Sequence, residues 1–411
     1  MSHASGGALR AGQPAGGRPM RVLTYTTLFP NAVQPVKGIF VENRLRHLVD
    51  ETGIESRVVA PVPWFPSQAP MFGAWAKFAA VPGAEQRHGV EILHPRYPVV
   101  PKVGMNIAPA LLYAGTVGLV RKIAKHWDFD LIDAHYFYPD GVAAAMISRD
   151  LGKPLVITAR GSDVNVLPEF ALPRAQIRWA AGRAAGLITV CQALKDRLID
   201  LGAPAGKISV LRNGVDLDAL RPMDREEARR RLGVEGRVLL SVGNLVELKG
   251  HHLIIESLKD FADVTLLIAG GGPERAALEK HAEVCGVAGR VRFLGQIPHD
   301  QLAWIYSAAD ALVLASSSEG WANVLLEAMA CGTPVVATNV SGTVEVVTSP
   351  DAGLLIDDRS AAGITDGVRR LFSALPDRSA TRRFAELFSW DETSRGQSDL
   401  FASILEGRAV R

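Results

Sequence analysis

A chain of 411 residues exceeds what one ordinary core organises, which predicts two domains of similar size. Its 48% hydrophobic and 21% charged residues exclude a disordered or fibrous protein. The net charge of +2 conceals an uneven spread: 23 Lys/Arg against 15 Asp/Glu through residue 210, and 22 against 28 beyond it. An anionic partner for the first half (a membrane surface, a lipid phosphate or an acidic sugar chain) and ordinary scatter both account for that spread. The three cysteines, Cys191, Cys285 and Cys331, have no metal-ligand spacing and form no even framework, so a reducing, cytoplasmic compartment is expected.

Residues 1–19 are Gly/Ala-rich with no apolar core, and read as a disordered tail rather than a secretory signal. From Met20 the run MRVLTYTTLF is apolar and β-branched, and it ends at Pro30. A loop with Gly38 follows, then a helical stretch from about Val41, the opening of a doubly wound unit. Residues 58–76 contain Pro61, Pro63, Pro66 and Pro70, which deny a continuous helix. Trp64, Phe65, Phe72, Trp75 and Phe78 lie in or beside that stretch and fit either a loop packed on its own domain or one dipping into a bilayer interface. The apolar stretch 103–120 is interrupted by Asn106 and Pro109, and is expected as a packed helix.

Further strands are predicted at Ser56–Ala60, Leu131–Ala134, Pro154–Ala159, Gly186–Val190 and Lys207–Leu211, with room for crossover helices between most of them. A turn-rich segment, Asn213–Asp224, is the expected hinge. The pattern then restarts with strands at Arg237–Asn244, Val264–Gly270, Arg290–Gly295, Ala311–Ser316, Pro334–Thr338 and Gly353–Asp357, and closes on a helix from Trp390. Two such α/β halves place their ligand in a cleft outside the carboxyl ends of the strands.

The most specific signal is EGWANVLLEAMACGTP at 319–334. Glu319 ends a strand-to-loop segment, and Trp321–Leu325 would begin a helix that carries Glu327. Backbone N–H groups at such a helix start hold a diphosphate without a basic side chain. A surface helix with two solvated glutamates is the bland alternative, and the nearly uncharged stretch 320–334 argues against it. Asp216/Asp218 and Asp128/Asp130 have the letters of a metal-binding Asp-x-Asp pair but lack cleft context, so no metal is assigned. His251-His252 point apart on a helix, and GGG at 270–272 lacks dinucleotide-loop spacing.

The segment 319–334 resembles the E-x7-E region of glycosyltransferase family 4. The likeness extends over FP at 29–30, GIFV at 38–41, PDG at 139–141 and RGSD at 160–163. It continues through NGVD at 213–216, VGN at 242–244 with KG at 249–250, and GGGPE at 270–274 to Trp390. A weaker likeness, through Arg46, is to bacterial enzymes that build cell-surface polysaccharide.

The resemblance implies a GT-B fold. Its N-terminal acceptor domain would be 20–210, its nucleotide-sugar domain 211–388, and its last helix (389–411) would cross back to the first domain. The implied activity is retaining, hexosyltransferase-type transfer of a sugar from a nucleoside diphosphate to a saccharide or lipid-linked acceptor. No cofactor and no nucleic acid are expected; peripheral contact with an anionic membrane at the cytoplasmic face would accompany a lipid-linked acceptor. Lys249 would contact the donor pyrophosphate, Glu319 the transferred sugar's hydroxyls, and His135 the donor sugar; these three are the implied catalytic residues. Gly38, Asn244, Gly295, Ile297, Gly320, Trp321, Ala322, Asn323, Val324, Leu325 and Glu327 would complete the donor site. Asn244 stands where many members carry arginine, and Arg160 is the candidate to make good that charge. Arg160 and Asp163 would lie on the acceptor side, with a helix cap as the other reading of Asp163. The same fold also suits a sugar-nucleotide epimerase or a phosphorylase. A catalytically inactive scaffold or activating subunit is the rival from another class, and the intact Lys249, Glu319 and Glu327 argue against it.

Overall fold

A computed structural model describes residues 18–100 and 104–407, so residues 1–17 of the expected tail lie outside the described residues. The chain divides into two compact units, one running to Arg212 and resuming at Asp391, the other comprising Asn213–Trp390.

The first unit contains β1 (Arg21–Tyr25), α1 (Ile39–Thr52), β2 (Glu55–Val59), β3 (Val62–Pro63), α2 (Ala74–Ala80), β4 (Ala84–Arg87), β5 (Val90–Leu93) and β6 (Arg96–Tyr97). It continues with α3 (Ala108–His126), β7 (Leu131–His135), α4 (Val142–Leu151), β8 (Leu155–Ala159), α5 (Ser162–Asn165), α6 (Ala171–Arg183), β9 (Gly186–Thr189), α7 (Gln192–Asp200) and β10 (Ile208–Val210). The eight-stranded sheet runs β10-β9-β8-β7-β1-β2-β5-β4. It is parallel except for the β4–β5 pair. Every residue of β7, β8 and β9 is buried, because helices cover both faces and the sequence shows apolar runs rather than alternation. β4 and β5 carry Glu85, Arg87 and Glu91 on short strands, and so give no such run. Parallel strands put the loops after β1, β7 and β8, which are neighbours, at one end of the sheet.

The stretch expected as a packed helix forms α3, but it buries only one stripe: Pro109, Leu112, Thr116, Val120 and Ile123. Gly104–His126 is long and apolar enough to cross a membrane by length and composition, and 28% of its most apolar window is buried.

The second unit opens with α8 (Arg225–Leu232), β11 (Arg237–Val242), α9 (His251–Ser257), β12 (Val264–Ala269), α10 (Arg275–Val284), β13 (Val291–Gly295), α11 (His299–Ala308) and β14 (Ala311–Leu314). It closes with α12 (Asn323–Ala330), β15 (Val335–Thr338), α13 (Ser341–Val344), β16 (Gly353–Ile356), α14 (Ala361–Ser373) and α15 (Arg378–Ala385). Its six strands are all parallel, in the order β13-β12-β11-β14-β15-β16.

The segment Asn213–Asp224, expected as the hinge, belongs to this unit. Arg382 donates to the carbonyls of Leu220 (2.6 Å) and Leu217 (3.1 Å), and Val215 N–H donates to Phe388 (2.9 Å). Turn formers mark irregular backbone, and here that backbone is tied down by side-chain and main-chain donors.

The last helix, α16 (Trp390–Leu405), joins the first unit from Asp391 onward. Its Leu400 and Phe401 lie in one buried cluster with Met20, Val22, Leu48, Ile54 and Leu131. Phe401→Ala is therefore expected to cost about 3–5 kcal/mol in urea denaturation, the range for emptying a buried aromatic site. A cost below about 1 kcal/mol would show that α16 contributes no core to this unit.

Candidate functional site

In the second unit, two loops at the carboxyl end of the sheet converge. β11 runs into Gly243 and Asn244, then a 3-10 turn at Glu247–Lys249, then Gly250 at the start of α9. Gly250 has φ of 67°, and a Cβ there would sit 2.2 Å from the Ala315 carbonyl oxygen. Only glycine lets this loop lie against the loop that follows β14. Ser317 N–H donates to the Leu248 carbonyl at 2.9 Å and stitches the two together.

The approach sets Lys249 Nζ 2.5 Å from Glu319 Oε1, and Ser316 Oγ donates to the same oxygen at 2.6 Å. Glu319 is 9% exposed, so the pair is partly withdrawn from water, where a charge contact weakens less than at an open surface. Behind it, His251 is buried; its Nε2 donates to the Asn244 carbonyl at 3.3 Å and its Nδ1 accepts from Ser241 Oγ at 3.0 Å. Burial lowers the His251 pKa to about 4, so the ring stays neutral and acts as a prop for the Asn244 loop. The Asn244 side chain itself is exposed.

α12 begins after Ala322 with no side-chain cap and no acidic residue in its first turn. Gly320, Trp321 and Ala322 are buried, Asn323 and Val324 half-buried. Leu325 is fully buried, so its side chain belongs to the core, and its N–H donates to the Ala322 carbonyl at 3.0 Å. The Trp321 indole N–H is buried and has no hydrogen-bond partner among the described residues. Asn323 Oδ1 accepts from Asn213 Nδ2 at 3.2 Å. Glu327 Oε2 accepts from the Tyr306 hydroxyl at 2.6 Å; burial and this carboxylate raise the phenol's pKa far enough to keep it a donor. Gly295 ends β13, its carbonyl accepting from Gly270 N–H at 2.7 Å, with Ile297 half-buried just beyond.

In the first unit, the loops after β1, β7 and β8 meet. Gly38 starts α1 with φ of 69°, and a Cβ there would lie 2.3 Å from the Leu28 carbonyl oxygen. His135 ends β7 and is buried. Arg160 donates to its Nδ1 at 2.7 Å, which leaves the proton on Nε2, 3.2 Å from Asp133 Oδ2. Burial, opposed by Asp133 and reinforced by Arg160, lowers the His135 pKa. Asp133 in turn accepts from Gln397 of α16 at 2.9 Å, and Gln397 accepts from Arg44 of α1 at 2.6 Å. The Arg160 guanidinium also sits over the Phe40 ring at 5.3 Å.

Asp163 is fully buried and accepts from the backbone N–H groups of Phe137 (2.7 Å), Gly161 (2.7 Å) and Arg160 (3.0 Å). Both carboxylate oxygens are thus occupied in fixing the turn, close to the capping alternative. The Asp-x-Asp pairs are structural too. Asp216 accepts from the N–H groups of Asp218 and Ala219; Asp128 pairs with Lys153 and Asp130 with Arg18.

Sequence reasoning missed Asp140 and Lys37. Asp140 is fully buried and accepts from Thr27 N–H (2.7 Å), Thr27 Oγ1 (3.0 Å) and Thr26 Oγ1 (3.3 Å). Its Oδ1 has no partner among the described residues. Burial raises its pKa to about 7, with the Thr27 hydrogen bonds and Lys37 pulling the other way. The PDG letters placed it in a motif, but nothing in them signalled a carboxylate facing away from water.

The pattern described as "Glycosyltransferase Family 4" matches residues 39–219, and that described as "Glycosyl transferases group 1" matches residues 224–387. The chain is 30% identical over 360 residues to TuaC of Bacillus subtilis, named as a teichuronic acid biosynthesis glycosyltransferase; the match covers 85% of this chain and 89% of that one. The chain belongs to glycosyltransferase family 4.

The transferase is also 33% identical to a D-inositol 3-phosphate glycosyltransferase of Frankia alni, over 80% of this chain and 88% of that one. Among solved structures, it resembles the sucrose-phosphate synthase of Thermosynechococcus elongatus, with a TM-score of 0.77 and 19% identity over 95% of this chain and all of that one. Anabaena HepE in complex with UDP and glucose matches with a TM-score of 0.72 and 21% identity, over 93% of this chain and all of that one. The fold is GT-B, with two Rossmann-like domains.

The Asp140 environment makes stability pH-dependent. A folded-state pKa above the unfolded carboxylate's value means the folded chain holds this proton longer, so the contribution is full below about pH 4 and is lost as pH rises through about 7. Asp140→Asn, which cannot ionise, should gain in Tm relative to wild type between about pH 5 and about pH 8. Parallel Tm profiles for the two proteins over that range would contradict the burial of this carboxylate.

Proposed function

We propose that this transferase moves a sugar, with retention, from a UDP- or GDP-linked donor to a saccharide or lipid-linked acceptor, in the building of bacterial surface polysaccharide or glycolipid at the cytoplasmic face of the membrane. The observation that carries it is the Lys249–Glu319 pair at 2.5 Å, which ties the loop after β11 to the loop that leads into the uncapped start of α12. A helix start presents unpaired N–H groups to an anion, and a lysine beside it supplies a positive charge. Similar proteins support it: the HepE structure is a complex with UDP and glucose, and TuaC is named for teichuronic acid biosynthesis.

In this reading the diphosphate lies across the start of α12, with Lys249 offsetting the charge that builds on it as the bond from the sugar's anomeric carbon to the phosphate oxygen breaks. The acceptor oxygen bonds to that carbon from the same face, and its proton passes to the departing phosphate. Glu319 holds sugar hydroxyls, while the start of α12 and Lys249 together do the work a metal ion does elsewhere.

Lys249→Ala should lower kcat by about 10²-fold or more, the scale for losing one preorganised electrostatic partner. Glu319→Gln should also lower kcat, while nucleoside diphosphate Kd suffers more from the lysine change. Turnover near wild type in folded Lys249→Ala would move the chemistry away from this loop. Transfer should survive EDTA, whereas abolition by EDTA and rescue by Mg²⁺ or Mn²⁺ would overturn the metal-free assignment. UDP, GDP and ADP should differ in how far they raise Tm, and the base that raises it most identifies the donor class.

A further inference from the structure

We propose that three loops of the first unit form an apolar lip that docks on an anionic bilayer interface. The proposal rests on the reading of a lipid-linked acceptor and deepens it, by naming the surface through which this unit meets the membrane.

The backbone dictates where the lip lies. β3 and β6 continue the chain beyond the carboxyl ends of β2 and β5, and pair in parallel with each other. Trp64 N–H donates to the Tyr97 carbonyl at 2.8 Å, so the chains leaving the two strands run side by side. One enters residues 64–72, where Trp64 is 57% and Met71 84% exposed, with Phe72 also outward. The other enters residues 98–100 and later a 3-10 turn at Gly104–Ile107, exposing Val100 and Ile107. Gln176 Nε2 donates to the Asn106 carbonyl at 3.3 Å and brings up α6, at whose start Phe170 and Leu172 are exposed. Because the sheet is parallel, this end is also where the loops bearing Gly38, His135 and Arg160 emerge.

The exposure is built in. Beneath the first loop, Phe65 packs against Phe72 (5.2 Å) and Trp75 (5.7 Å), and Trp75 against Phe78 (5.8 Å). Arg96 donates to the Phe78 carbonyl at 2.8 Å and to that of Val81. Trp75 is thus an internal wedge, and Trp64 and Met71 are what the wedge holds outward. Large side chains presented together from three rigid segments differ from the scattered apolar residues of an ordinary surface.

Charge selects the occupant. Among the described residues, segments 61–81, 96–100, 104–109 and 166–178 together contain four Lys/Arg (Lys77, Arg96, Arg174 and Arg178) and a single acid, Glu169. Lys77, Arg174 and Arg178 are exposed. Apolar side chains among cations match an anionic headgroup layer over acyl chains, since basic residues near such a surface are attracted to it while apolar ones enter the acyl boundary. A soluble acidic sugar chain would leave Trp64, Met71 and Phe170 unused. A lipid-linked acceptor presented there would have its head at the loop end of the unit.

The test uses the full chain with vesicles of phosphatidylcholine alone and of phosphatidylcholine with phosphatidylglycerol, read by flotation. Wild type should bind the anionic vesicles at least about tenfold more tightly, and should weaken in about 1 M salt, where the Debye length is about 3 Å. Trp64→Glu with Met71→Glu should lose that binding by about tenfold or more, because carboxylates replace buried apolar area and repel the headgroups. Val284→Glu, at an exposed apolar site in the second unit, should leave binding unchanged. Retention of the wild-type Tm and of its shift by UDP shows the variants are folded. Anionic-vesicle binding equal to wild type in the double variant overturns the proposal. So does absence of binding by wild type. So too does a lip variant that only turns a dimer into a monomer, which would make the lip a contact between two copies. If wild type binds vesicles but UDP, GDP and ADP leave Tm unmoved, the donor reading fails and the lip stands; the reverse result sinks the lip alone.

Discussion

Parallel pairing is the constraint on which the rest of this structure depends. When neighbouring strands run the same way, every connection that follows a strand emerges at one end of its sheet, and the return path must cross a face as a helix. β1, β7 and β8 therefore deliver Gly38, His135 and Arg160 to a common end of the first unit, while β11 and β14 deliver Lys249 and Glu319 to a common end of the second. Covering both faces is also why β7, β8 and β9 have no exposed face.

What the loops do with that placement is settled by close contact and by buried charge. Removing a side chain at Gly250 lets two backbones touch and so brings an ammonium onto a carboxylate. In the first unit the cost of withdrawing charges from water is met by a chain of contacts: Arg44, Gln397, Asp133, His135 and Arg160 each satisfy the next. Gln397 arrives from α16, so the last helix supplies both apolar core, through Leu400 and Phe401, and a polar link behind His135. Asp140 is fully buried with no ion-pair partner at its carboxylate among the described residues, and burial raises its pKa to about 7.

The outer face of the first unit follows a different rule from its core. α3 buries one stripe and leaves the rest of the helix partly buried or exposed, and the loops after β3 and β6 hold Trp64 and Met71 in water on a packed aromatic base. Soluble folds tend to turn such side chains inward; here the framework turns them out, at the carboxyl end of the sheet.

The amino-acid sequence by itself determined the strands and their alternation with helices, since apolar runs such as Leu155–Ala159 have one stable destination, a sheet covered on both faces. It also determined the family, through the order and spacing of segments from GIFV at 38–41 to the glutamates 319 and 327, and the convergence of Lys249 with Glu319 was legible in those motifs. Tertiary structure alone decided the rest. The β4–β5 pair gave no apolar run, because its short strands carry charge. The turn residues of Asn213–Asp224 mark irregular backbone at the boundary of the two units, and its anchoring in the second unit depends on Arg382, more than 150 positions away. Asp163 is a backbone clamp and Asp140 a carboxyl with a raised pKa for the same reason: burial and hydrogen-bond partners are set by residues distant in the chain, and a motif's letters carry no record of which of their oxygens meet water.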